Sequence, residues 1–201
     1  MKALLLTCFE PFGGRNQNRS ELLARAMPQL EELKQEFDTI EVCRLPVVYD
    51  VARGIALDFI RTRQAQGFEP IVVSFGECSG SQIRIETGAR NLDDSHTEAD
   101  NSGQRRQGVP VVPGAPDRID FGFPIAALAS SPSLRALKPL LSEDAGSFLC
   151  NHLAFGLAHE LSRDSIPYLF IHVGRDSEHE PAVEARAIAA GLSAAWREAL
   201  V

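Results

Sequence analysis

Pro70-Ile-Val-Val-Ser-Phe75 is the stretch that decides the fold. It is short, apolar and β-branched, so it reads as a strand buried on both faces. Such a strand needs helices on either side of its sheet. Upstream, Val51–Gln66 places Ala52, Ile55, Ala56, Phe59 and Ile60 on one helical face. Thr39–Leu45 reads as a second strand. Arg19–Lys34 reads as one helix with Leu22, Leu23, Ala26, Leu30 and Leu33 inward, and Lys2–Thr7 as the opening strand. Strand–helix–strand–helix–strand predicts a parallel sheet with right-handed crossovers.

Downstream the rhythm changes. Gln82–Asn91 is extended and alternating, and Leu92–Asp120 reads as a long polar loop, rich in Gly and Pro. Phe123–Leu128 starts a short helix and Pro139–Ser142 is a short strand. Gly146–Leu161 follows as a helix, Pro167–Val173 as a strand and Pro181–Leu200 as a closing helix. The expected class is α/β: one domain over 1–201, a three-layer α/β/α sandwich with a mixed, mainly parallel sheet.

Composition narrows the function. The chain has 201 residues, 44% hydrophobic and 23% charged, which is globular rather than disordered. The net charge is −7, from 20 Lys+Arg against 27 Asp+Glu, and the densest basic spot is only Arg105-Arg106. Nucleic acid, which needs a basic stripe, is therefore not an expected partner. Nor is a membrane, since no apolar run reaches the roughly 18 residues of a spanning helix. The opening run Ala3–Leu6 is too short for a signal peptide's core, so a cytoplasmic location is expected. The four cysteines form no C-x-x-C pair and no zinc-like spacing, so free thiols are expected. The sequence also lacks a P-loop, H-E-x-x-H and G-x-G-x-x-G.

Chemistry then rests on individual residues. Cys150 follows a tight Asp-Ala-Gly turn and falls near the first turn of a helix. Unpaired N–H groups and the positive end of the dipole favour an anionic nucleophile there. A small buried thiol would look the same. His172 stands near the carboxyl end of an apolar strand, where open α/β sheets place their sites, although a hydrogen-bonded core histidine fits as well. Glu86, in an alternating segment, could orient an imidazole or face solvent. Cys78 also follows a buried strand but lacks a helix start. Cys8 and Cys43 read as packing residues, His152 and His159 as surface or packing side chains, and His179 lies in a charged loop.

At these residues the sequence resembles the pyroglutamyl peptidase I, or pyrrolidone carboxyl peptidase, family. The family's T-G-F-x-P-F-G-G loop followed by N-P-S appears as Thr7-Cys-Phe-Glu-Pro-Phe-Gly-Gly14 followed by Asn18-Arg19-Ser20. L-P-V appears as Leu45-Pro46-Val47, E-x-x-A-x-N as Glu86-Thr-Gly-Ala89-Arg-Asn91, and D-N-x-G as Asp100-Asn101-Ser-Gly103. The nucleophile segment appears as Asp144-Ala-Gly-Ser-Phe-Leu-Cys150-Asn151, and F-I-H-V as Phe170-Ile-His172-Val. The motifs span the chain in the family's order.

The resemblance implies Cys150 as nucleophile, His172 as base and Glu86 as its orienter, releasing pyroglutamate through an acyl-enzyme with no metal or cofactor. It implies Phe9, Phe12, Asn18, Glu77, Phe148 and Leu149 as the lactam pocket. The expected partner is a peptide or small amide with an N-terminal pyroglutamate, and the family forms homo-oligomers, dimers or tetramers. A flat, neutral lactam suits aromatic walls and a few hydrogen bonds. The chain departs from the family pattern at several positions. Cys8 replaces a Gly, Glu77 stands where Gln is common, His96 stands closest to a missing oxyanion Arg, and Gly174 follows His172-Val where the family has Pro. These departures leave two alternatives: an amidase for another small acyl group, or a lactam-binding protein without turnover.

Overall fold

The computed structural model describes residues 1–95 and 98–199. The elements in chain order are β1 (Lys2–Phe9), α1 (Arg19–Ala26), α2 (Glu31–Lys34), β2 (Thr39–Leu45), α3 (Val51–Ala65), β3 (Glu69–Cys78), β4 (Arg84–Glu86), β5 (Gly88–Arg90), β6 (Arg118–Asp120), α4 (Ile125–Ser130), α5 (Pro132–Arg135), β7 (Leu140–Ser142), α6 (Leu149–Leu161), β8 (Tyr168–Gly174) and α7 (Pro181–Ala199). Six strands form one sheet in the order β2-β1-β3-β8-β4-β7, and β5 pairs with β6 separately. Within the large sheet only the β4–β8 junction is antiparallel among the described residues. The mixed, mainly parallel α/β sheet is the expected one.

Alternation along the strands divides the core. Leu4, Leu6 and Cys8 of β1 face one helical layer, which contains Leu23 of α1, Leu128 of α4, Leu134 of α5 and Ile188 of α7. Ala3, Leu5 and Phe9 face the other, which contains Ala52, Ala56 and Ile60 of α3 and Leu153 and Phe155 of α6. The central strand, Glu69–Cys78, is buried from Pro70 to Phe75 on both faces, as its apolar run demands.

Three local readings are corrected. The predicted helix over Arg19–Lys34 is two helices separated by a 3-10 turn at Met27–Gln29. Pro28 lacks the N–H that would continue the α-helix. Leu22 and Ile55, expected inward, are exposed, because each helix buries a narrower stripe than its apolar residues would allow. The extended segment Gln82–Asn91 serves two sheets. Thr87 donates from its N–H to the Ser142 carbonyl at 2.7 Å, and the chain then turns away to pair with β6.

The long polar loop over Leu92–Asp120 ends in β6 and is otherwise tied down by side chains. Asp93 and Val109 form a β-bridge. Asn91 donates through Nδ2 to the carbonyls of Val112 at 2.9 Å and Ala115 at 3.1 Å. Among the described residues, no helix is long and apolar enough to cross a membrane.

Candidate active site

Parallel strands β1, β3 and β8 end on the same side of the sheet, bringing Phe9, Glu77 and His172 together. Helix α6 begins at Leu149 above these ends, which makes Cys150 its second residue. The sulfur lies over Gly76 of β3. A Cβ on that glycine would stand 2.8 Å from the Cys150 Sγ and 2.8 Å from the Phe170 ring. Gly76 pairs in register with His172 on the adjacent strand, so the missing side chain makes room for sulfur beside the imidazole.

His172 is buried, and its Nδ1 meets Glu86 Oε1 at 2.7 Å. Glu86 is fully buried and acidic, so the arrangement assigns the Nδ1 proton to the histidine and leaves Nε2 for the sulfur. Burial by itself pushes the imidazole pKa down. The neighbouring Cys150 sulfur, through charge and a hydrogen bond, and then Glu86 in the same two ways, outweigh burial and raise it from 6.5 to about 9.

The other thiols are placed differently. Burial pushes Cys8 up to about 12 and Cys78 up to about 11, and raises Cys43 as well. At neutral pH these three are poor nucleophiles. Cys8 also faces the layer opposite the pocket, so its departure from the family glycine leaves the pocket lining untouched.

Beside Cys150 lies an open pocket. All six expected pocket residues line it: Phe9, Phe12, Asn18, Glu77, Phe148 and Leu149. Phe12 and Phe148 face each other with ring centroids 5.3 Å apart. The Asn18 Oδ1 accepts from the Ser20 N–H at 3.0 Å, which caps α1, and its Nδ2 donates to the Glu10 carbonyl at 2.9 Å. Glu77 is also engaged with the protein. Its Oε1 pairs with Arg15, and its Oε2 accepts from the Arg19 N–H at 2.8 Å. Residue 96, the expected oxyanion neighbour, lies outside the described residues.

Sequence reasoning missed several partners of this site. Arg15 and Val47 also line the pocket. His152, read as a surface or packing side chain, is fully buried in an ionic cluster. Its Nδ1 meets Asp93 Oδ2 at 2.8 Å, and the same oxygen accepts from Arg106 Nη1 at 2.8 Å. Arg106 also pairs with Asp50 and lies 4.4 Å over the Tyr49 ring. Tyr49 in turn sets its ring edge-on to Phe148, with centroids 5.7 Å apart. Asp50 has φ +55°, a region that costs most residues energy, and its ion pairs with Arg106 and Arg53 hold it there. The signal was present in part, since His152 follows the nucleophile segment closely, but its carboxylate partner is 59 residues away. Among the described residues no cluster of three or more His, Cys, Asp or Glu is placed to hold a metal ion.

The departure at Gly174 has a steric basis. A Cβ there would come within 2.6 Å of both the Gln82 nitrogen and the Gly80 oxygen. The loop before β4 therefore packs directly on the backbone that follows His172.

Comparison with known proteins agrees with this architecture. A family model described as pyroglutamyl peptidase matches residues 1–190. A pyrrolidone-carboxylate peptidase of Vibrio vulnificus (strain CMCP6) is 34% identical over 179 residues, covering 86% of this chain and 78% of the relative. One from Pectobacterium atrosepticum is 29% identical over 210 residues, covering 100% of this chain and 94% of the relative. The crystal structure of Bacillus amyloliquefaciens pyroglutamyl peptidase I superposes with a TM-score of 0.83 at 27% identity, over 97% of each chain. By these matches the chain belongs to the pyroglutamyl peptidase family of cysteine-type omega peptidases.

Proposed function

We propose that the protein releases an N-terminal pyroglutamyl residue through a Cys150–His172–Glu86 triad and a covalent acyl-enzyme. The observation that carries this reading is the position of the half-buried Cys150 sulfur. It lies between the ring of His172, itself held by Glu86, and a pocket with three phenylalanine walls.

The lactam ring packs against Phe12 and Phe148, and the exocyclic carbonyl carbon of the scissile amide comes to the sulfur. The Cys150 thiolate attacks that carbon, and the carbonyl electrons move onto oxygen. The first turn of α6 offers N–H groups without helical partners, including that of Cys150, to the oxyanion. As the tetrahedral intermediate collapses, His172 gives its Nε2 proton to the departing amine and a thioester remains. The imidazole then takes a proton from water, and hydroxide attack on the thioester releases pyroglutamate and restores the thiolate. Glu86 fixes the tautomer and stabilises the imidazolium.

The engagement of both Glu77 oxygens by Arg15 and Arg19 favours a second reading, in which the same triad serves another small acyl amide. One assay separates the two. Chromogenic pyroglutamyl, prolyl and free-amine aminoacyl amides are compared, each with and without prior thiol alkylation. Selective turnover of the pyroglutamyl amide that alkylation abolishes supports the first reading. Equal or greater turnover of either other amide contradicts it.

A further inference from the structure

Two cavities abut behind the nucleophile. The acyl pocket lies against a second open space lined by Gln17, Arg19, Leu22 and Arg175. Among the described residues, only Arg15 and Glu77 line both. These two side chains form an ion pair with one another.

The pair is anchored on both sides. Arg15 Nε donates to the Phe12 carbonyl at 3.1 Å, so the guanidinium is tied to the loop that carries a pocket wall. Glu77 is 7% exposed, and its second oxygen is held by the Arg19 N–H at the start of α1. A buried carboxylate with both oxygens engaged, facing a guanidinium with two of its three nitrogens engaged, is a fixed wall rather than a mobile side chain.

We propose that the Arg15–Glu77 pair is a specificity-determining partition that sets the depth of the acyl pocket. With it in place the pocket takes a five-membered lactam. Without the Arg15 side chain the two cavities join, and larger lactam acyl groups fit. The inference rests on the acyl-pocket reading of the proposed function. It assigns to Arg15 a role that concerns ring size and not bond cleavage.

The test compares a chromogenic pyroglutamyl amide with its ring-expanded analogue, the 6-oxopiperidine-2-carbonyl amide. One methylene in a close pocket is worth about 10–200-fold in kcat/KM, so the wild type is expected to discriminate in that range. Arg15→Ala is expected to raise the ratio of six- to five-membered turnover by about tenfold or more, chiefly through KM. Arg15→Gln, shorter than Arg and uncharged, is expected to shift the ratio in the same direction by less. A ratio unchanged in both variants overturns the partition.

A second readout needs no turnover. Protection of Cys150 from alkylation by 2-pyrrolidinone is compared with protection by 2-piperidinone in each variant. If the wild type cleaves no pyroglutamyl amide, the proposed function fails. The protection ratio still decides the partition: a shift toward the larger lactam in Arg15→Ala supports it, and an unchanged ratio overturns it.

Discussion

Glu86 and His172 meet across the antiparallel junction of a sheet whose other described pairings are parallel. Arg84 is the register partner of His172, so Glu86, two residues on, is its diagonal neighbour on the same face. A diagonal pair lies about 7–8 Å apart at the backbone, within reach of two long side chains. Here the 2.7 Å contact between Oε1 and Nδ1 closes that gap, and Glu86 Oε2 is buried without a hydrogen-bond partner among the described residues. The carboxylate is thus committed to the imidazole.

Glu86→Gln tests that commitment. The amide keeps the shape but loses the charge, and it presents an N–H to the Nδ1 it must orient. The expected cost in kcat is about 10²–10⁴-fold. The sign of the pH effect also follows. Below about pH 9 the wild-type ring is the imidazolium, the form that the proposed mechanism needs to protonate the leaving amine. Above that it is neutral, so kcat/KM should fall with an alkaline limb near 9. Glu86 raises the imidazole pKa, so its removal should move that limb to lower pH. A limb that stays in place in Glu86→Gln would show that the carboxylate does not act on His172.

Much of this site was legible because each member obeys a local rule. His172 ends an apolar strand, Cys150 opens a helix, and Phe9, Phe12 and Phe148 flank turn residues in recognisable motifs. What stayed hidden depends on partners far apart in sequence. Glu77 lines the pocket as expected of it, but its pairing with Arg15, 62 residues earlier, has no local signal. His152 reads as packing until Asp93 meets it. The split at Pro28 was visible in principle, since proline interrupts an α-helix, but the apolar spacing on either side hid it. The alternating pattern of Gln82–Asn91 does not announce that it serves two sheets. That follows from Gly88, where a Cβ would collide with the β6 backbone at Ile119.

The Asp93 cluster should contribute stability as well as shape. Asp93 and His152 are both fully buried, and Arg106 is nearly so. Asp93→Ala leaves Arg106 and His152 without the carboxylate that joins them. Breaking a buried pair in this way costs about 3–5 kcal/mol, which corresponds to a fall in Tm of roughly 6–20 °C for a chain of this size. Differential scanning calorimetry measures it. A Tm within a degree or two of wild type would mean that the cluster is not a structural clamp.

Two of the close-packed glycines, Gly76 and Gly174, should separate activity from stability. Gly76→Ala puts a methyl group 2.8 Å from the Cys150 sulfur, and a misplacement of about 1 Å at the reacting atom costs roughly 10²-fold in rate. Gly174→Ala instead meets backbone at 2.6 Å, which cannot swing aside, and should cost about 1–3 kcal/mol of stability. Turnover and urea unfolding of both variants check this. The opposite pattern, a stable inactive Gly174→Ala and a fragile active Gly76→Ala, would contradict the placement of the sulfur.

The most direct measurement is kcat/KM for a chromogenic pyroglutamyl amide in wild type and in Cys150→Ala, with circular dichroism confirming that the variant is folded. Removing the attacking sulfur from an otherwise intact pocket is expected to lower kcat/KM by at least about 10³-fold. A folded Cys150→Ala that cleaves the amide at the wild-type rate would show that the bond is broken by some other group.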